Sequence, residues 1–139
     1  QARESMGRSI GLLDAWLDKV LADEGLTADR MVVVGFSQGT MMALHVLPRR
    51  DKPVAGIIGF SGRLLVPELL HEATVKPPIL LVHGDQDQMV PFQDMQLAGE
   101  ALETAGFTVY GHVMKGTGHG ISPDGLSVAL SFVKDRLGK

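Results

Sequence analysis

The chain has 139 residues, a net charge of −3, 45% hydrophobic residues and no cysteine. A chain of this length forms one domain able to bury roughly two-thirds of its unfolded surface. The composition leaves no basic footprint for nucleic acid or anionic membrane, no apolar run of bilayer length, and no thiolate for a disulfide, a metal site or a nucleophile, and a cytoplasmic setting is the expectation.

In chain order, the first segment reads as a helix. Met6, Ile10, Leu13, Leu17, Val20 and Leu21 recur at three- and four-residue steps, and Gly25 is the stop signal. Trp16 lies beside that stripe and is expected to pack. After the polar turn Thr27-Ala28-Asp29-Arg30 comes a β-branched strand, 31–36, then a helix from Thr40 onward closed by Pro48. A second strand is expected over Val54 to Phe60, a short helix around Pro67 to His71, and a third strand over Ile79 to His83. Pro91 suits the first turn of a helix carrying Phe92, Met95, Ala98, Leu102 and Ala105 on one side and ended by Gly106. A fourth strand, Phe107 to Met114, alternates apolar and polar residues, as an edge strand does. Ser122 caps and Pro123 opens a last helix striped by Leu126, Ala129, Leu130, Val133 and Leu137.

Strands alternating with helices at these spacings predict an α/β domain, four parallel strands with flanking helices, over residues 1–139. The first three strands are nearly continuous apolar runs, the pattern of a sheet covered on both faces. Val32-Val33-Val34 therefore reads as an interior strand although it is the first in the chain, and an apolar edge of that kind is normally avoided. The expectation is that a preceding segment of a longer protein, or a second chain, pairs with strand 31–36.

The first strand runs into Gly35-Phe36-Ser37-Gln38-Gly39 and then a helix. In a strand-turn-helix of this kind the serine sits on a strained turn that lifts its hydroxyl clear of the sheet, and a Cβ at either flanking glycine would collide with neighbouring backbone. In an open parallel sheet the loops leaving the carboxyl ends of the strands share one rim, where ligands bind. Ser37 follows the first strand, Asp85 and Asp87 the third, and His119 the fourth. Among the five histidines, His119 is the best placed as a base, because Gly118 and Gly120 let an imidazole approach another loop. His83, ending its strand, reads as structural, holding the turn that presents the acid. Spacing leaves Asp85 and Asp87 even as that acid, since either could cap the turn through its own backbone. His83, Asp85, Asp87 and His119 lack a compact ligand spacing, so no metal is expected. Leu64, Leu65 and Met89 lie in rim loops and could line an acyl pocket as readily as pack.

Three blocks, Gly35-Phe36-Ser37-Gln38-Gly39, His83-Gly84-Asp85-Gln86-Asp87-Gln88-Met89-Val90-Pro91 and Gly118-His119-Gly120, resemble the signature blocks of the phospholipase/carboxylesterase family, which includes the acyl-protein thioesterases. The resemblance spans essentially the whole chain and implies the C-terminal portion of an α/β-hydrolase fold, with Ser37 as nucleophile, His119 as base and Asp87 as the acid, four residues after the histidine of its block. It also implies that the strands upstream, and the loop giving one oxyanion donor, are absent here, so that Gln38 N–H is the donor this chain retains. Thr40 departs from the pattern, where many members carry a second small residue, and is expected to crowd the helix start without touching the triad. The implied reaction is ester or thioester hydrolysis without a cofactor. The alternatives are a serine peptidase on the same fold and a non-catalytic fragment that pairs through its open edge.

Overall fold

The computed structural model of the chain describes residues 2–138. The side chains of residues 1–7, 9 and 10 lie outside the described set, and with them the Met6 and Ile10 positions of the predicted stripe. Four parallel strands lie side by side in chain order: β1 (Val32–Phe36), β2 (Gly56–Phe60), β3 (Ile79–Gly84) and β4 (Val109–Met114). Around them lie α1 (Ala2–Glu24), α2 (Gln38–Val46), α3 (Gln93–Thr104) and α4 (Pro123–Leu137), with short 3₁₀ turns at Leu47–Arg49 and Pro67–Glu72. The predicted four-stranded parallel α/β sheet is the observed one.

The period of two along each strand divides the core between the two faces. Ile57, Ile79 and Leu81 face one way, into a cluster with Leu17 of α1, Leu44 of α2 and Leu102 of α3. Ile58, Phe60, Leu80 and Val82 face the other way and meet Ala129 and Phe132 of α4. Strands β2 and β3 are buried along their whole length. β4 is one edge and β1 the other, with the Val34 side chain 56% exposed. The first strand has the apolar sequence of an interior strand and the surroundings of an edge.

α1 ends at Gly25, whose φ of +63° marks the left-handed turn expected there. It is tied to the body through Arg50, whose guanidinium donates to the Asp14 and Asp18 carboxylates at 2.6 Å each. Trp16 does not pack as expected. It is 58% exposed and flanks a shallow groove along β1 with Leu13, Val33 and Met42, because among the described residues nothing covers that side of the sheet.

Other expectations shift at element ends. Pro48 does not stop the elbow helix outright. α2 ends at Val46 and Pro48 sits inside the 3₁₀ turn that follows. Pro91 lies just before α3 and accepts the Asp94 N–H in the entry turn. In α4, Ser122 caps as predicted, its hydroxyl accepting from Gly125 N–H, and Ala129 and Val133 of the predicted stripe pack on the sheet side, but the stripe's two outer leucines do not. Leu126 and Leu130 are 51% and 55% exposed, and Gly125, Ala129 and Phe132 face the sheet. The cause is fit. A Cβ on Gly125 would lie 2.5 Å from the Met114 sulfur, and one on Gly56 would lie 2.7 Å from the Phe132 ring, so a bare backbone on one element seats a large side chain on the other.

Candidate active site

The sharp turn between β1 and α2 is set by Ser37, at φ +54° and ψ −114°. A residue with a side chain holds a positive φ only where its surroundings enforce it. Ser37 N–H donates to the Phe60 carbonyl at 2.8 Å, and Ser37 carbonyl accepts from Met41 N–H in the first turn of α2. Gly35 is required as expected, since a Cβ there would lie 2.6 Å from Thr40 N and 2.7 Å from Gly39 backbone. Gly39 is not: a Cβ there meets nothing within 4 Å, because the residue faces the open side of β1. Gln38 opens α2, and its N–H is among the first-turn donors that a helix leaves without an intrahelical partner.

The loops after β3 and β4 touch at Gly84, where a Cβ would run into the Thr117 and Gly118 carbonyls. The two aspartates in this region are separated by their partners. Asp85 Oδ1 accepts from Gly116 N–H at 2.8 Å and braces the β4 loop. Asp87 is buried and turns inward. Its Oδ1 accepts from Met89 N–H at 2.9 Å and Val90 N–H at 2.8 Å, while Oδ2 lies 2.7 Å from His119 Nδ1. His83, 1% exposed, donates through Nε2 to the Val90 carbonyl at 2.8 Å, and that nitrogen lies 3.4 Å from Asp87 Oδ2. It holds the turn that carries Asp87, as the sequence suggested.

His119 Nε2 lies 3.1 Å from Ser37 Oγ. An ionised carboxylate only accepts, so Nδ1 carries the proton toward Asp87 and the neutral ring leaves Nε2 free to accept from the serine hydroxyl. The Phe36 ring lies 4.9 Å from the imidazole, centroid to centroid. Burial pushes the Asp87 carboxyl up, but the hydrogen bonds from His119 and from the Val90 and Met89 amides outweigh it and hold the group below the ordinary carboxylate range. The half-buried Ser37 is thus in line with an acceptor that a buried carboxylate orients, an arrangement able to draw the proton from a hydroxyl as it attacks a carbonyl.

The remaining candidates lie apart from this line. Leu64 packs against the core on the α1, α2 and α3 face, Leu65 is half-buried, and Met89 is 74% exposed beside the Asp87 turn. His112 pairs with Asp124 at 2.7 Å on the surface, His45 is half-buried in α2, and His71 is exposed. Among the described residues no group of three or more His, Cys, Asp or Glu is arranged to hold a metal ion. Thr40 does not crowd the helix start as expected. Its hydroxyl donates to the Phe60 carbonyl at 2.8 Å and its methyl occupies space that Gly59 and Gly62 leave free. Those two glycines across the turn were the available signal.

The sequence profile described as Phospholipase/Carboxylesterase matches residues 1–137. Acyl-protein thioesterase 1 of Debaryomyces hansenii is 28% identical over 137 residues, taking in 95% of this chain and 59% of that protein. Among solved structures, esterase PE8 superposes with a TM-score of 0.92 at 40% identity over 95% of this chain and 62% of its own. Arabidopsis thaliana SOBER1 does so with a TM-score of 0.88 at 30% identity over 96% of this chain and 65% of its own. The chain therefore spans less than two-thirds of the length of each of these relatives.

Proposed function

The chain belongs to the phospholipase/carboxylesterase family, and from that premise we propose that the protein hydrolyses carboxylic esters or thioesters, with Ser37 as nucleophile, His119 as general base and Asp87 as the carboxylate that orients it. The observation that carries this reading is the unbroken line from Asp87 through His119 to Ser37, with contacts of 2.7 and 3.1 Å.

Ser37 Oγ attacks the acyl carbon as its proton passes to His119 Nε2, forming a tetrahedral oxyanion. Asp87 fixes the tautomer and steadies the imidazolium. His119 then gives the proton to the departing alcohol or thiol, leaving an acyl-serine. Water, activated by the same imidazole, adds to that acyl group and releases the acid. The Gln38 N–H, at the positive end of α2, is the proposed oxyanion donor from this chain. Aryl esters compared with peptide amides on the same preparation separate this reading from a serine peptidase on the same fold.

The second oxyanion donor and the cover for β1 belong to a segment upstream of Gln1 in this proposal. The exposed Val34, the empty space beside Gly39 and the greater length of the relatives all support it. Such a partial domain is expected to turn over aryl esters about 10²- to 10³-fold more slowly than the full-length protein, the effect of losing one oxyanion donor. The absence of cysteine fits the cytoplasmic setting that is part of this reading. Among the described residues no helix is long and apolar enough to cross a membrane. The direct test is labelling of the full-length protein with a fluorophosphonate probe. Adduct on Ser37, lost in Ser37→Ala, is expected, and an unlabelled Ser37 in folded protein refutes the proposal.

A further inference from the structure

The carbonyl oxygen of Phe60, the last residue of β2, receives two donors from the elbow: Ser37 N–H at 2.8 Å and the Thr40 hydroxyl at 2.8 Å. Thr40 is the third residue of α2 and only 1% exposed. Threonines in helices commonly return their hydroxyl to a carbonyl of their own preceding turn. This one reaches across to the neighbouring strand, and the oxygen it chooses already holds the amide of the strained serine. Its place is also prepared from the other side. A Cβ on Gly59 would lie 2.6 Å from Thr40 Cγ2, with the next atoms at 3.5 Å, and a Cβ on Gly62 would lie 2.5 Å from Thr40 Cβ.

We propose that Thr40 is a positioning residue for the elbow: by sharing the Phe60 carbonyl with Ser37 N–H, its hydroxyl ties the first turn of α2 to the end of β2 and fixes where the Ser37 hydroxyl and the Gln38 N–H point. This rests on the reading of Ser37 as the nucleophile. The turn bears the strained residue at its apex, and the tie to β2 opposes a drift of the helix start. Shape alone would ask only for a residue of threonine's size at position 40. The hydroxyl is needed only if the shared carbonyl sets the geometry.

Two variants of the full-length protein separate these demands. Thr40→Val keeps the volume and removes the hydroxyl, and Thr40→Ser keeps the hydroxyl and removes the methyl. The expected result is that Thr40→Val lowers both kcat on an aryl ester and the rate of fluorophosphonate labelling by roughly five- to tenfold, with KM within about twofold of wild type, the loss of one buried hydrogen bond expressed at the reacting atoms. Thr40→Ser is expected to keep most of both rates. Equal losses in the two variants, or no loss in Thr40→Val, overturn the proposal. If the wild type neither labels nor turns over, the nucleophile reading has failed, and hydrogen exchange at the Ser37 amide then decides the tie by itself. Faster exchange in Thr40→Val but not in Thr40→Ser supports it, and an unchanged rate in both overturns it.

Discussion

One carboxylate carries much of the site's geometry. Asp87 divides its oxygens, Oδ1 taking the Met89 and Val90 amides and Oδ2 the His119 ring. Asp87→Asn keeps the size but offers an NH₂ or a weaker acceptor to Nδ1, which favours the wrong tautomer, and kcat on an aryl ester is expected to fall about 10³- to 10⁴-fold with little change in KM. The depressed pKa of Asp87 has a sign that can be checked. Its contribution to stability is complete above the ordinary value of 3.8 and is lost as pH falls through the lower folded value. The difference in melting temperature between wild type and Asp87→Asn should therefore be largest near neutral pH and close on acidification below that value. A difference that widens toward acid would contradict the assignment. Gly84 offers a steric counterpart. Its Cβ would meet the Thr117 and Gly118 carbonyls, so Gly84→Ala should push the His119 loop away and cost about 1–3 kcal/mol, seen as lowered stability together with slower labelling of Ser37.

At the scale of elements, α4 tests how a helix chooses its buried face. A three- and four-residue period gives the spacing of a stripe but leaves its phase open when adjacent stripes are both apolar. Leu126 and Leu130 looked like the core side, yet the sheet accepts Gly125, Ala129 and Phe132, because Met114 fills the space above a glycine on the helix and Phe132 the space above a glycine on the strand. In the 139-residue chain Phe132→Ala should cost about 3–5 kcal/mol in chemical denaturation and Leu126→Ser about 0.5 or less. Comparable losses would return the stripe to its predicted phase. The strands were easier to read, since their apolar runs and bounding glycines and prolines act locally, whereas a helix phase and the exposure of Trp16 depend on what lies opposite. Arg50 is a similar case. It reaches α1 through Asp14 and Asp18 from the far side of α2, a pairing no local pattern announces.

For the whole molecule, the topology explains why the candidate site could be anticipated from a single sequence. Parallel strands laid in chain order send the loops after β1, β3 and β4 to one rim, so Ser37, Asp87 and His119 could be grouped although they are far apart in sequence. Which of two aspartates turns inward was beyond local reading, because it depends on Gly116 N–H taking Asp85 from another loop. The same topology leaves β1 with one side open. Trp16 is the only tryptophan and stands beside that side. The chain thus carries one indole as a native fluorophore at the place where an upstream strand would dock. Its emission should be red-shifted and readily quenched by acrylamide in the 139-residue chain, and, if the proposed upstream strand pairs with β1, blue-shifted and shielded in a chain that carries it, so pairing at that edge can be followed by light without an added dye.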